Sequence, residues 1–323
     1  KEKTLPNGLV FTYIYDAIGR VLSVSDSTGR CTEMVYNQFG DVATETRQDG
    51  AVTAYEYDAM HRMTQVIAPN GAVTGYEYDT RGNLISTLGP TGNLTIYAYD
   101  ILDRVQILEQ SLTAPVSYVY DELGRVIEVK QGDKHTITTY DKVGNTLAVQ
   151  NPLGNVMKYG YDRDNRMTNT VTYDGHVTKT GYDAAGNVIS VVDALGSESR
   201  FGYNSDGMLT NQFDALGHET QYRYDLAGNL TAVKNPLDHI TSYGYDLMGN
   251  MTSMLTPDGH ETTYSYDLHN NLISITSPSG EVEQFIYDVE SRLEKSIRPD
   301  GSAIVYDYDK MDQLLSKTYS DNT

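Results

Sequence analysis

Tryptophan is absent from this 323-residue chain, and phenylalanine occurs five times. With hydrophobic residues at 39%, there is too little purely apolar mass for a thick globular core. A single cysteine, Cys31, excludes an internal disulfide. No apolar run is long enough to cross a bilayer as a helix. Basic residues are few: 24 Lys and Arg stand against 44 Asp and Glu, a net charge of −20. That balance argues against nucleic acid and anionic membrane surfaces as partners, because both require basic patches. The opening residues, KEKTLPNG, carry neither an initiator Met nor a signal-peptide core. Helical periodicity is missing throughout. What the chain does have in quantity is tyrosine, 27 copies, and glycine, 28. Tyrosine offers an apolar body with a polar tip, which suits a half-wetted sheet.

The tyrosines are periodic. Fifteen of them fall at 15, 36, 57, 78, 99, 120, 140, 161, 182, 203, 224, 245, 266, 287 and 308. Every step is 21 residues except the 20 from Tyr120 to Tyr140. The following residue is Asp thirteen times and Asn twice. In Asp79-Thr80-Arg81-Gly82, Asp suits the first position of a type I turn and Gly the fourth, where the backbone becomes left-handed. Nine repeats have Gly there; Asp103, Asn165, Asn270 and Asp312 are the next best tolerated types, and His61 and Ser291 fit less well. A second turn lies half a repeat away, as in Ala68-Pro69-Asn70-Gly71 and Asn151-Pro152-Leu153-Gly154. Eight of the nine prolines occupy this one slot, where their fixed φ is already correct and no strand loses a ladder bond. Pro115 alone falls elsewhere, in an irregular stretch at 110–117.

Six- and seven-residue segments separate the turns, a typical strand length. The returning strand ends Tyr-x-Tyr in ten repeats and Phe-x-Tyr in two more, so both rings share a face. The predicted fold is therefore all-β: an antiparallel meander of about fifteen hairpins, one array over residues 1–323, with an irregular repeat near 110–140. At about 4.8 Å per strand, thirty strands make a ribbon on the order of 145 Å wide. Strand twist and a bulge at each turn bend such a ribbon. Closed once, it surrounds a space ~45 Å across, too wide for side chains to fill. A spiral, hollow wall is expected. The structural anchors are expected at Tyr15, Asp16, Gly19; Tyr78, Asp79, Gly82; Tyr120, Asp121, Gly124; Tyr182, Asp183, Gly186; Tyr224, Asp225, Gly228; and Tyr245, Asp246, Gly249.

Tyr-Asp-x-x-Gly-[Asn/Arg]-[Leu/Val] at this spacing resembles the YD repeat of Rhs-family proteins, which include bacterial Rhs polymorphic toxins, Tc toxin C subunits and the teneurins. The resemblance runs from about Pro6 to Leu315. It implies a β-shell, or cocoon, that in the toxins encloses a toxin polypeptide and in teneurins supports adhesion surfaces. It also implies a secreted or cell-surface whole protein, although no targeting signal lies in this segment.

No catalytic, cofactor-binding or metal-binding residue is expected. His218, His239 and His260 share one slot in three successive repeats, but that slot recurs two strands apart, about 9.6 Å. Zinc needs nitrogens within about 2.1 Å of one ion, so the column cannot converge. No G-x-S-x-G, Walker loop or dinucleotide fingerprint is present. Asn151-Pro152-Leu153-Gly154 and Asp193-Ala194-Leu195-Gly196 approach the protease block of Rhs toxins, yet both lie in phase with the ordinary turn. The expected function is a non-enzymatic wall that sequesters a toxin polypeptide. The alternative is an adhesion or glycan-binding module, with tyrosine stripes stacking on sugars. Both ends fall within a repeat without a cap, which predicts a section of a larger assembly. Its expected partners are the remainder of the shell or a companion subunit and an enclosed toxin domain, with glycans on the alternative.

Overall fold

The computed structural model describes residues 1–320. It contains 31 strands and, among the described residues, no helix. All belong to one sheet, and the strands pair antiparallel with their neighbours in sequence.

The repeat from β12 (Val116–Tyr120) to β15 (Thr146–Gln150) shows how sequence becomes hairpin, with β13 (Val126–Gln131) and β14 (Lys134–Tyr140) between them. At the Asp turn, Asp121 N–H donates to the Arg125 carbonyl at 3.0 Å and Gly124 N–H to the Asp121 carbonyl at 3.0 Å. Gly124 closes this loop at φ 81°. The proline-type turns use the same two bonds: Asn151 to Asn155 at 2.9 Å and Gly154 to Asn151 at 2.9 Å. The two turns differ in one respect. Past the Asp turn the ladder shifts register, with Tyr120 opposite Val126 but Val119 opposite Glu128. Past the proline-type turn it continues unshifted, Gln150 opposite Val156 and Val149 opposite Met157. The inner bulge thus belongs to the Asp edge alone.

The 20-residue step has a simple cause. Gln131 pairs directly with Lys134, so a two-residue Gly132-Asp133 turn replaces the five-residue loop, and the flanking strands lengthen to fill most of the difference. His61 and Ser291, poor fits by residue type, adopt the left-handed backbone all the same, at φ 61° and 64°.

The sheet is a single layer. The buried residues among those described are Leu9, Ala51, Ala303 and Ser296, far too few for two packed layers. Fourteen of the fifteen anchor tyrosines are half-buried, whereas intervening residues such as Ile14, Val35, Val119 and Ile286 on the opposite face are exposed. The tyrosine-bearing face is the sheltered one. Contacts divide the chain into two units. Unit 1 holds residues 1–76, 89–91 and 241 onward; unit 2 holds 77–88 and 92–240.

Candidate functional site: turn clips and a seam

Each Asp turn is a hydrogen-bonded clip. Asp121 Oδ1 accepts the backbone N–H of Leu123 at 2.9 Å and of Arg125 at 3.0 Å, and Oδ2 accepts Arg125 Nε at 2.7 Å. Asp16 is held in the same way by Ile18, Arg20 and the Arg20 side chain. At Asp79, Asp183, Asp225 and Asp246 an Asn side chain, from Asn83, Asn187, Asn229 and Asn250, takes the arginine's place. Hydrogen bonds from the Arg125 backbone and side chain hold the Asp121 carboxyl below the usual carboxylate range. The Arg104 side chain does the same for Asp100. Gly19, Gly82, Gly186, Gly228 and Gly249 all have positive φ, between 86° and 97°.

The clip also reaches the next hairpin. Arg20 lies over the Tyr36 ring at 4.4 Å, Arg104 over Tyr120 at 4.4 Å and Arg125 over Tyr140 at 4.7 Å. The tyrosine hydroxyl completes the link. Pairing between successive hairpins stops short of the Asp edge: β11 (Val105–Gln110) and β12 pair at Ile107–Ser117 and Leu108–Val116. Tyr120 Oη donates to the Val105 carbonyl, left beyond that pairing, at 2.6 Å. Tyr182 does so to Met167 at 2.8 Å, and Tyr36, Tyr99 and Tyr203 to Val21, Leu84 and Val188. Tyr15 stands apart: it is 37% exposed, stacked on Tyr13 at 6.4 Å and capped by Lys1 at 5.4 Å.

A coupling invisible to the residue-by-residue reading spans 20 positions. Where Gly is replaced in the Asp turn, the side chain one repeat earlier holds the replacement. Asn83 Nδ2 donates to Asp103 Oδ1 at 2.7 Å, Asn145 to Asn165 at 2.9 Å, and Asn250 to Asn270 at 2.9 Å. Arg292 Nη1 donates to Asp312 at 2.9 Å, and His61 Nδ1 lies 2.9 Å from Asp41. Ser291 is the exception; its Oγ is buried without a partner. The signal was present as Asn, Arg or, before His61, Asp twenty residues ahead of each non-Gly residue, but the same types also stand before Gly turns and read as ordinary turn composition.

The histidine column does not converge. His218 pairs with Asp214 at 2.8 Å and His260 with Asp258 at 2.7 Å, each within its own turn. Among the described residues, no three His, Cys, Asp or Glu side chains gather as a metal site. The expected anchors recur one repeat at a time along the sheet, and among them Tyr120 and Tyr182 bond to the preceding hairpin.

Unit 1 contains something the repeat does not announce. Its proline-type turns at 5–8, 26–29 and 47–50 meet Asp turns at 267–270, 288–291 and 309–312, across sequence separations of 241 to 265 residues. Asn7 Nδ2 donates to the Leu268 carbonyl at 2.7 Å, Arg30 Nη2 to the Glu290 carbonyl at 3.0 Å, and Arg47 Nη2 to the Lys310 carbonyl at 3.0 Å. Ion pairs surround these bonds. His269 Nε2 lies 2.8 Å from Asp26, whose side chain is 2% exposed. Arg47 and Arg292 share Asp312 at 2.6 and 2.9 Å. A cavity of about 490 Å³ lies alongside, lined by Thr28, Leu268, Ile273, Phe285, Ile286 and Val289 among others. Leu9 and Ala51, two of the four buried residues, directly follow turns of this seam.

A single-layer meander of clipped hairpins, with one stretch stapled turn to turn against another, defines a repeat β-shell module. The family model described as Teneurin YD-shell matches residues 95–196 and 132–323, and that of the RHS repeat matches 36–73. The chain belongs to the YD-shell family. No curated protein matches it in sequence. Among solved structures it is similar to TcdB2-TccC3, at 17% identity and a TM-score of 0.66, over 98% of this chain and 22% of that one. TcdB2-TccC3-Cdc42 is similar at 16% identity and a TM-score of 0.64, over 97% and 22%. So is the Photorhabdus luminescens Tc holotoxin pore, at 16% and 0.61, over 97% and 21%. At these identities the likeness is one of fold. The chain spans about a fifth of the length of these neighbours. Among the described residues no helix is long and apolar enough to cross a membrane.

Proposed function

We propose that this chain is a non-enzymatic section of a shell wall that coils about a hollow interior and sequesters a polypeptide, as part of a secreted or cell-surface protein. The seam carries this reading. Within unit 1, turns some 260 residues apart bond to one another, and only four of the described residues are buried, as a thin wall requires. The mechanism is steric: a continuous ladder keeps proteases and solvent partners from a loosely folded cargo. The adhesion or glycan-binding reading has less support, because anchor hydroxyls are engaged by backbone carbonyls and several rings lie under Arg. The test is protease protection in the whole protein that contains this chain. Polypeptide lying outside the repeats survives digestion in the native protein and is cleaved at least tenfold faster after Ala51→Asp, which places a charge in the seam. Equal cleavage in both proteins would contradict the container reading.

A further inference from the structure

We infer that Asn7 is a self-modification site: its side chain loses ammonia by attack of the Gly8 nitrogen, the seam sets the rate, and the product removes a bond of the seam.

The chemistry comes from one dipeptide. Asn is followed by Gly at Asn7-Gly8 and Asn70-Gly71 and nowhere else in the chain. Glycine has no Cβ to shield its nitrogen or to hinder the backbone rotation that the attack needs. In the reaction the Gly N–H gives its proton to solvent and the nitrogen bonds to the Asn Cγ. The Cγ–Nδ2 bond breaks and ammonia leaves. Water then opens the cyclic imide to aspartate or isoaspartate, with nothing oxidised or reduced.

The fold presents the two sites as a matched pair. Both lie in Pro-Asn-Gly, at the same positions of a proline-type turn. Gly8 N–H donates to the Leu5 carbonyl at 2.9 Å, and Gly71 N–H to that of Ala68 at 2.8 Å. Asn7 Oδ1 accepts the Leu9 N–H at 3.2 Å, and Asn70 Oδ1 the Ala72 N–H at 2.9 Å. Each turn must therefore open locally before its nitrogen can reach Cγ.

The seam breaks the match. Asn7 Nδ2, the leaving group, donates to the Leu268 carbonyl at 2.7 Å. Leu9, two residues on, is 2% exposed. Asn70 is exposed, and among the described residues its Nδ2 has no such acceptor. Asn7 thus reacts in molecules whose seam is open at this corner, one bond further from the closed state than Asn70. The product cannot restore that bond. A carboxylate has no proton to donate, and its oxygen faces the Leu268 carbonyl oxygen. Deamidation of Asn7 is a one-way record of seam opening, whereas deamidation of Asn70 leaves the seam alone. The inference rests on the seam and not on what the wall encloses.

The full chain is incubated in mildly alkaline buffer and digested with trypsin, which places the two sites on separate peptides, 4–20 and 63–81. Mass spectrometry follows the deamidation of each. Asn7 should react about fivefold or more slowly than Asn70, the factor that one net hydrogen bond supplies. In the urea-unfolded chain the two rates should be equal. His269→Ala, which strips the buried Asp26 carboxylate of its imidazole partner in the turn that Asn7 meets, should raise the Asn7 rate and leave that of Asn70 unchanged. Asn7→Asp should speed hydrogen exchange at residues 267–270, and Asn70→Asp should not. Equal rates in the native chain, an Asn7 rate indifferent to His269→Ala, or exchange at 267–270 indifferent to Asn7→Asp would each overturn the inference. So would an Asn70 that stays unreacted in the native chain for a time that converts the unfolded one, since the turn alone would then be the protection. Cargo protection is not read in this experiment, so its failure leaves the wall reading standing.

Discussion

At the scale of the residue, the tyrosine that marks the repeat is a link between hairpins. Its hydroxyl takes a carbonyl stranded where inter-hairpin pairing ends, and its ring lies under the neighbouring Arg. Tyr120→Phe should therefore destabilise the array by about 1 kcal/mol, the usual net worth of one such bond, as measured by urea unfolding. The 20-residue coupling makes a second prediction. In a double-mutant cycle, Asn145→Ala costs less in a background carrying Asn165→Gly, because Gly accepts φ 62° unaided and the lost bond no longer matters. Additive effects would contradict the coupling. The turn carboxylates set the pH response. Those of Asp100, Asp121 and Asp162 are held low, chiefly by bonds from Arg104, Arg125 and Arg166. Their folded values lie below the unfolded ones. The stability they add is present above the unfolded value, about 3.9, and is lost as pH falls through the folded values. The urea midpoint should hold from neutrality to about pH 5 and then fall steadily on acidification.

At the scale of the element, most of the fold was legible. Tyr-Asp-x-x-Gly and Pro-x-Gly each fix a turn, and the spacing between them fixes strand length, so the meander follows from local chemistry alone. The inner bulge at the Asp edge was legible only in part, since both turns end in a left-handed Gly and neither residue pattern states beside which of them the ladder shifts register. The exposed tyrosine stripe that the glycan-binding alternative requires is, in the structure, largely half-buried. The short repeat was visible as a missing residue, and its cause lies in Gly132-Asp133. Gly132 has φ 57°. Gly132→Val should cost about 1–2 kcal/mol, since a β-branched residue is forced left-handed there. A change within error in the unfolding midpoint would show that this turn readily adopts another form.

At the scale of the whole molecule, the periodic signal falls silent. A strict repeat says how each hairpin meets the next, and the seam joins hairpins twelve repeats apart. Its residues differ from their equivalents only in detail: Arg30, Arg47, Leu9 and Ala51 stand where other repeats place other types. No spacing rule picks them out before the return of the chain is known. The ladder and the seam should also part under perturbation. Ala51 is 1% exposed, so Ala51→Asp puts an unpaired charge into the seam while leaving strand pairing intact. Far-UV circular dichroism should stay unchanged while the seam opens. The central claim, that the ribbon returns to meet itself, is tested most directly by one distance. Spin labels at Gln48→Cys and Lys310→Cys, in a Cys31→Ser background, sit on the two turns that face each other across the seam. The seam predicts a short separation with a narrow distribution, lengthened by Ala51→Asp. A flat or loosely curved ribbon would hold those labels on the order of 120 Å apart, 25 strands at about 4.8 Å each, and that result would contradict the account.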